Sequence, residues 1–380
     1  VSPATAEAVT SAMSAPGSVS TLVLPANYAW GQAPQKPPAI AKRRAPAKID
    51  EARVQAAVSA LSDGKTTALI LTGTALREGA LTHANRIAAK TGARILAQQA
   101  NARMERGQGR FPIDRVPYPV DQAIAALKDI ERVILVGAKA PVTFFAYPGK
   151  PSSPLPEGFE VLTLADPSDD LPDALLSLAD ALKAPSAALP AVPAIPELAK
   201  GKLTPETIAI TVGHMLPDNA IVCDESVTSG RDFFRFTYGA ARHDWLQLTG
   251  GAIGVGLPLS VGAAVACPDR KVVTLQADGS AMYTNQALWT MARERLDICV
   301  VIFSNSRYAI LHGELKGVGA GEAGLNARRM LDFDDPALDW VKMANAMGVE
   351  AARADTAEGF TDLFDKATKT KGPFLIEAVI

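Results

Sequence analysis

Asp278 and Asn305 are the side chains of this sequence whose types and spacing most directly indicate chemistry. Asp278 follows the largely apolar segment 271–277, and Asn305 follows the apolar segment 298–304. The two residues are 27 positions apart. A crossover from one strand end through a helix to the next takes about that many residues, so we expect the two side chains to lie side by side. Mg²⁺ takes one or two carboxylates together with phosphate oxygens and water. The pair therefore predicts a Mg²⁺ site.

The residues after Asp278 favour an anion next to the metal. Gly279 allows the backbone to approach a ligand closely. The pattern of Thr284–Arg295 predicts a helix whose free N–H groups would favour a diphosphate. The tripeptide Asp278-Gly279-Ser280 alone is more typical of an ordinary turn and helix cap, so the prediction of a site depends on its pairing with Asn305.

The elements that must position these residues alternate between strand and helix. Such alternation predicts an α/β fold of successive doubly wound domains with parallel sheets. Segments rich in proline divide the chain into 1–34, a linker at 35–48, a central domain at 49–185, a linker at 186–202 and a last domain at 203–380. The predicted strands are 18–24, 67–72, 94–97, 132–136, 160–164, 220–223, 245–248, 271–276, 298–304 and 374–379. The predicted helices of the central domain are 51–61, 79–91, 120–129 and 172–183, and a further helix opens at Thr204.

Composition excludes several classes of protein. The 38 Lys and Arg residues nearly balance the 40 Asp and Glu residues, and no long basic block indicates nucleic acid binding. No run approaches the ~20 apolar residues of a membrane span, and the first residues are not typical of a signal peptide, so we expect a cytoplasmic protein. The three cysteines show no metal-ligand spacing and are predicted to be buried thiols: Cys223, Cys267 and Cys299.

The motif Ala277-Asp278-Gly279-Ser280 with Ser304-Asn305 resembles the signature of the thiamine-diphosphate enzyme superfamily, Gly-Asp-Gly-Ser followed by Asn-Asn. The run 249–258 is similar to the family's loop beneath the cofactor, and 224–229 is similar to its remaining diphosphate loop. Ala277 and Ser304 depart from the signature, but neither departure removes a proposed metal ligand. The resemblance therefore implies thiamine diphosphate and Mg²⁺ as cofactors.

The resemblance also implies a role for individual residues. The metal would be held by Asp278, Asn305 and the main-chain carbonyl of Arg307. The cofactor would be contacted by Glu225, Thr228, Gly279, Ser280, Tyr283 and Tyr308. The carbonyl of Gly251 would hold the pyrimidine amino group, and the side chain of Ile253 would wedge between the two rings. Gly251 and Ile253 would thus be catalytic by imposing the bent cofactor conformation.

Within the superfamily, the sequence is most similar to acetolactate synthase large subunits and to benzoylformate decarboxylase. The implied activity is decarboxylation of a 2-oxo acid with carboligation or aldehyde release. The segment 136–149 is closer to the decarboxylase pattern, which argues against FAD, although Phe145 or Ala146 stands where that enzyme has a histidine. Two alternatives stay open: a non-catalytic paralogue, and a nucleotide-dependent oxidoreductase using Thr72-Gly73-Thr74, which no GxGxxG motif follows.

The remaining implications concern the rest of the active site. Residues 1–34 resemble the end of the pyrimidine-binding domain, so the glutamate that polarises the pyrimidine ring would lie outside this chain. We expect a homodimer or homotetramer with the site at a subunit interface, and no activity from this chain alone. His312 is the histidine expected nearest to the substrate, and the glycine-rich run Gly313–Asn326 is expected to be a mobile lid.

Overall fold

The structure is a computed structural model that describes residues 1–32 and 36–380. The chain folds into two compact units that alternate along the sequence. Unit 1 contains Val1–Gln98, Leu127–Ala140 and Leu155–Ala187, and unit 2 contains Gln99–Ala126, Pro141–Pro154 and Ala188–Ile380. The predicted domain boundaries stay a prediction, and the one between 34 and 35 lies outside the described residues.

The helices are distributed along nearly the whole chain. They are α1 (Ser2–Met13), α2 (Ala26–Trp30), α3 (Glu51–Ala60), α4 (Glu78–Thr91), α5 (Val120–Leu127), α6 (Leu171–Ala181), α7 (Pro205–Met215), α8 (Phe233–Thr237), α9 (Gly256–Ala266), α10 (Asp278–Ala281), α11 (Ala287–Arg293), α12 (Ala309–Gly317), α13 (Leu325–Leu331), α14 (Trp340–Ala346) and α15 (Ala357–Lys369). The predicted start at Thr204 is confirmed, because this residue caps α7 with its side chain in a reciprocal capping box with Thr207.

The strands follow the predicted alternation with helices. They are β1 (Thr67–Leu71), β2 (Arg94–Ala97), β3 (Arg103–Arg106), β4 (Asp114–Arg115), β5 (Arg132–Val136), β6 (Glu160–Ala165), β7 (Ala220–Glu225), β8 (His243–Gln247), β9 (Val272–Ala277), β10 (Ile298–Ser304), β11 (Glu350–Ala354) and β12 (Phe374–Val379). In unit 1, β2, β1, β5 and β6 lie side by side in that order, and every pair is parallel. The predicted α/β class is confirmed.

The sheet of unit 2 positions the candidate residues. Its strand order is β11-β12-β10-β9-β7-β8-β3, and neighbours are parallel except for the antiparallel pair β3 and β8. β9 and β10 are adjacent, with Ala277 opposite Phe303. Their apolar side chains are buried in the sheet's core, as expected for parallel strands. The carboxyl ends of β7, β9 and β10 therefore meet at the same edge.

Some predicted elements are wrong. Residues 18–24 form no strand, and Val19 is 96% exposed. A β-branched run needs a neighbouring strand to pair with, and none of the described strands supplies one. The helix predicted at 284–295 is present but shorter, as the seven-residue α11, and the single turn α10 precedes it at Asp278–Ala281. The run Gly313–Asn326 is not a continuous loop, because α12 extends to Gly317 and α13 begins at Leu325.

The cysteines follow the prediction only in part. Cys223 and Cys299 are buried on β7 and β10, and burial raises the pKa of each thiol to about 12. Cys267, which follows α9, is only half-buried. No helix among the described residues has the length and apolar character needed to cross a membrane.

We expect Gly137→Ala to destabilise unit 1 more than Gly64→Ala does. Both glycines have positive φ, but a Cβ at Gly137 would lie 2.5 Å from Leu171 Cδ1, whereas one at Gly64 meets nothing within 4 Å. Overpacking should therefore add about 1–3 kcal/mol to the backbone strain that both variants share. Calorimetric unfolding of the two variants tests this, and equal melting temperatures would contradict it.

Candidate functional site

Asp278 lies at the carboxyl end of β9, and its side chain is 2% exposed. Its Oδ2 accepts hydrogen bonds from the backbone N–H groups of Asn305 at 2.8 Å and Ser306 at 2.7 Å. Its Oδ1 accepts one from the N–H of Gly279 at 2.8 Å. An ionised carboxylate has about four acceptor positions, so Oδ1 keeps one lone pair for a further ligand.

The electrostatic setting of Asp278 suits a cation. Burial raises the pKa of its carboxyl above the ordinary 3.8, although the N–H groups of Ser306, Gly279 and Asn305 act in the opposite direction. A buried carboxylate is stabilised by an opposite charge close by. A divalent ion on Oδ1 would supply that charge.

Asn305 follows β10 and lies next to Asp278, as the spacing predicts. Its side-chain Oδ1 accepts a hydrogen bond from the N–H of Arg307 at 3.1 Å, which forms a turn around Ser306, whose φ is +56°. An amide oxygen has two lone pairs, so one remains for a metal. The turn thus fixes the side-chain oxygen of a residue whose backbone N–H donates to the Asp278 carboxylate.

The carbonyl of Arg307 belongs to a short antiparallel bridge with Asp332. The hydrogen bonds of this bridge run from Tyr308 N to Leu331 O at 2.8 Å and from Phe333 N to Ser306 O at 3.0 Å. Arg307 and Asp332 are therefore a pair without hydrogen bonds between them. The carbonyl of Arg307 accepts neither of the two hydrogen bonds that form the bridge.

Gly279 is in close contact with Tyr308. A Cβ on Gly279 would lie 2.5 Å from Tyr308 Cε1, and the tyrosine hydroxyl donates to the carbonyl of Gly279 at 3.3 Å. Burial raises the pKa of Tyr308, and its neighbour Tyr283 adds to this effect. Tyr283 itself is 60% exposed. Glycine is thus required at 279 because the tyrosine ring covers this turn.

The Ser280 hydroxyl is already engaged within the protein. It donates to the carbonyl of Ala277 at 3.0 Å and accepts from Gln276 Nε2 at 2.5 Å. A hydroxyl has one proton to donate, so a phosphate contact by Ser280 would come from its backbone N–H unless the bond to Ala277 is given up.

Glu225 lies at the end of β7 and is 2% exposed. Its Oε1 accepts from the N–H of Gly254 at 2.6 Å, and its Oε2 accepts from the N–H of Gly256 at 2.6 Å and from Gln276 Nε2 at 3.0 Å. All of these contacts are within the protein. Thr228, three residues further along, is half-buried in the turn after β7.

Gln276 is the residue of this site that the sequence interpretation missed. It lies on β9 opposite Glu225 and is completely buried. Its amide group connects Glu225 to Ser280. The sequence contains one signal of this role, because a glutamine interrupts an otherwise apolar strand two residues before Asp278.

Gly251 and Ile253 lie in the loop between β8 and α9. Gly251 is exposed with φ +77°, and a Cβ there would lie 3.0 Å from Phe144 Cζ. Ile253 is half-buried. The hydroxyl of Thr284 donates to the carbonyl of Gly254 at 2.8 Å, which ties this loop to the segment after α10.

His312 lies on α12, and its Nε2 is 2.6 Å from Asp332 Oδ1. This contact joins the helix to the residue that follows α13. In the described structure the imidazole therefore holds the α12 and α13 segment together.

The crevice of unit 1 where a nucleotide would bind is packed with an apolar side chain. In doubly wound sheets a nucleotide binds where the strand order reverses, here between β1 and β5. Leu171 lies there, with its Cδ1 at 3.5 Å from a Cβ on Gly73 and 2.5 Å from one on Gly137. Unit 1 thus gives no support to the oxidoreductase alternative or to FAD.

The donor set fits Mg²⁺ with a diphosphate. Asp278, Asn305 and the Arg307 carbonyl offer oxygen only, and the described residues contain no group of three or more His, Cys, Asp or Glu that would hold another metal. Mg²⁺ keeps several water or phosphate ligands besides one or two carboxylates. The ring of Tyr308 occupies the Cβ side of Gly279 and the Gly279 N–H donates to Asp278, so the close phosphate approach expected at this glycine is closed on that side.

In open α/β sheets, phosphate-bearing cofactors bind at the edge where the strands have their carboxyl ends, which is where Asp278, Asn305 and Glu225 lie. Residues 229–378 match the family described as "Thiamine pyrophosphate enzyme, C-terminal TPP binding domain". The chain is 43% identical over 378 residues, 99% of its length, to a Mycobacterium tuberculosis protein named "Putative acetolactate synthase large subunit IlvX", and spans 73% of that relative. The chain belongs to the thiamine-diphosphate-dependent enzyme family.

Two further similarities agree with this family. A benzoylformate decarboxylase of Pseudomonas aeruginosa is 30% identical over 292 residues, which are 69% of this chain and 53% of the relative. A solved structure of a thiamine diphosphate-dependent 4-hydroxybenzoylformate decarboxylase from Rhodococcus jostii RHA1 superposes with a TM-score of 0.74 at 25% identity, over 88% of this chain and 65% of that one. The chain therefore spans only part of the length of each of these relatives.

We expect Gly279→Ala to weaken thiamine diphosphate binding, because the new methyl group would displace the ring of Tyr308. Overpacking of this kind costs about 1–3 kcal/mol, and where that strain falls on the cofactor-bound state it corresponds to a loss of affinity of roughly 5- to 150-fold. Gly262→Ala in α9 is the matched control, since a Cβ there meets nothing within 4 Å. Calorimetric titration of the two variants with thiamine diphosphate in the presence of Mg²⁺ compares their affinities. Equal affinities would contradict a role for the contact between Gly279 and Tyr308.

We expect metal-dependent cofactor binding to weaken as the pH falls through the raised pKa of Asp278. The metal binds the ionised carboxylate, so protons compete with it. Because burial raises this pKa above 3.8, the loss should begin at a higher pH than an exposed aspartate would give. Comparing the pH profile of cofactor binding to the protein with that of Mg²⁺ binding to free thiamine diphosphate separates the carboxyl from the diphosphate's own titration. Parallel profiles would contradict the assignment.

Proposed function

We propose that this chain carries the diphosphate- and metal-binding half of a thiamine-diphosphate- and Mg²⁺-dependent enzyme that decarboxylates a 2-oxo acid. The reaction would end in carboligation, as in an acetolactate synthase. The observation that carries the proposal is the arrangement around Asp278. Its carboxylate is buried and accepts the N–H groups of Asn305 and Ser306 at the end of β10, while Oδ1 accepts only the N–H of Gly279 and keeps one lone pair.

Asp278, Asn305 and the Arg307 carbonyl would hold Mg²⁺, and the metal would hold the diphosphate against the turn at Gly279. The carbonyl of Gly251 would accept a hydrogen bond from the pyrimidine amino group. The side chain of Ile253 would support the bent conformation that brings this group to the reacting carbon. When bound, the cofactor would supply a carbon nucleophile and an electron sink for the electrons released with CO₂.

The protein would contribute position and exclusion of water. Tyr308 covers the turn at Gly279, and its ring is 5.2 Å from that of Phe333. These rings would lie beside the bound diphosphate and would limit the access of water there. The active site would be shared between the subunits of a homodimer or homotetramer, and the glutamate that polarises the pyrimidine would come from the neighbouring subunit.

A second outcome, aldehyde release as in a benzoylformate-type decarboxylase, is favoured by the aromatic residues near Gly251. The ring of Phe144 approaches Gly251. The ring centroids of Phe145 and Tyr118 lie 4.8 Å and 5.6 Å from the ring centroid of Phe144. An apolar surface of this kind suits a bulky, uncharged acyl group. Offering pyruvate and benzoylformate to the full-length protein, while measuring CO₂, acetolactate and aldehyde, separates the two outcomes. Cofactor binding with no turnover of either would favour the non-catalytic paralogue.

We expect Asp278→Ala to abolish Mg²⁺-dependent thiamine diphosphate binding while unfolding remains cooperative. The variant removes the proposed metal ligand and the acceptor of three N–H groups. Asp269→Ala is the charge-matched control, because Asp269 is exposed in the turn between α9 and β9. Calorimetric titration with and without Mg²⁺ measures the effect. Unchanged affinity in Asp278→Ala would refute the metal assignment.

A further inference from the structure

Glu225 is a buried acid whose contacts differ from those expected of a diphosphate ligand. A phosphate oxygen would be repelled by a carboxylate unless a cation lay between them. Both oxygens of Glu225 instead accept N–H groups of the protein, two from the backbone and one from Gln276. The side chain is 2% exposed, so its charge is stabilised by these donors rather than by water.

The charge of Glu225 also replaces a missing helix cap. α9 begins at Gly256 and has 11 residues, and its N-cap residue Val255 makes no side-chain capping bond. The N–H of Gly256 donates to Glu225 at 2.6 Å. A carboxylate at this end of a helix interacts favourably with the helix dipole and makes a strong, charge-assisted hydrogen bond. Glu225 thus fixes the position at which α9 begins.

The segment held by Glu225 is the glycine-rich loop in front of α9. Gly250, Gly251 and Gly254 all have positive φ, at 70°, 77° and 96°. A loop with this much glycine has many accessible conformations, so its single conformation depends on external contacts. Glu225 bonds to Gly254 and Gly256, and therefore holds the chain on both sides of Val255.

Gln276 connects this loop to the turn after β9. Its Nε2 donates to Glu225 and to the Ser280 hydroxyl, so one amide group joins both sides of the site. A Cβ on Gly256 would lie 2.1 Å from Gln276 Oε1, which shows how closely the amide packs against the start of α9. If the O and N atoms of the Gln276 amide were exchanged, its oxygen would face the carboxylate of Glu225 and the two would repel each other. The contact with Glu225 therefore supports the orientation in which Gln276 Nε2 is the donor.

We infer that Glu225 is a positioning residue that fixes the loop 250–255 relative to the turn 278–280. The inference rests on the proposed function. The loop would take the cofactor's rings and the turn would take its diphosphate, so Glu225 sets the spacing between the two parts. A ligand that spans both parts depends on this spacing, whereas inorganic diphosphate with Mg²⁺ needs only the turn.

The anchoring is tested in the cofactor-free chain by hydrogen exchange. In Glu225→Gln the new NH₂ group is a donor among N–H donors, so exchange of peptides covering 249–257 should accelerate at least about tenfold, which is about 1.4 kcal/mol of local opening. Asp244→Asn is the matched control, because Asp244 is 4% exposed and pairs with Arg103 and Arg270 near the start of β8. It should leave these peptides unchanged. Equal exchange in Glu225→Gln and the wild type would overturn the inference.

The positioning role is tested by titrating the full chain with two ligands in Mg²⁺. Glu225→Gln should lose about tenfold or more in affinity for thiamine diphosphate and stay within about twofold for inorganic diphosphate. Glu225→Asp keeps the charge and should be intermediate. Equal losses for both ligands would identify Glu225 as a diphosphate contact and overturn the inference. A wild type that binds no thiamine diphosphate would refute the proposed function, while the exchange measurement would still decide whether Glu225 holds the loop.

Discussion

The hydrogen bonds from the N–H groups of Asn305 and Ser306 to the buried Asp278 carboxylate are the interaction on which the candidate site depends. They join the ends of two adjacent parallel strands and orient the carboxylate, so that one lone pair remains on Oδ1. The same bonds place the Asn305 amide next to it. The strand ends, the proposed metal ligands and the turn at Gly279 therefore all depend on one buried acid.

Glu225 repeats this arrangement at the next strand end of the sheet. Both acids are 2% exposed, and both are compensated mainly by backbone N–H groups rather than by arginine or lysine. Burying a charge is unfavourable unless hydrogen bonds satisfy it, so each acid requires the local backbone to adopt one conformation. In this way two acids specify the shape of loops whose glycines would otherwise leave them free.

Prediction from the sequence succeeded where local patterns and tertiary structure agree. Strands β9 and β10 are buried and apolar, so their ends and the neighbouring positions of Asp278 and Asn305 followed from pattern and spacing. Prediction failed where a strand forms only if a neighbouring strand pairs with it. Residues 18–24 are rich in β-branched residues, but none of the described strands pairs with them. The strand Glu350–Ala354 was missed because its alanines and polar residues give no strand pattern.

The sequence by itself determined the α/β alternation with most of its strands, the Asp278 and Asn305 pair, and the resemblance to the thiamine-diphosphate family, because these depend on residue types and spacing along the chain. Tertiary structure alone decided what Glu225, Gln276 and Ser280 do. The sequence positions of Glu225 and Ser280 suit contacts with a diphosphate, yet both side chains bond to Gln276, and Glu225 also bonds to the start of α9. The physical reason is that β7 and β9 are adjacent in the sheet but distant in sequence, so only the fold brings a carboxylate and its N–H donors together.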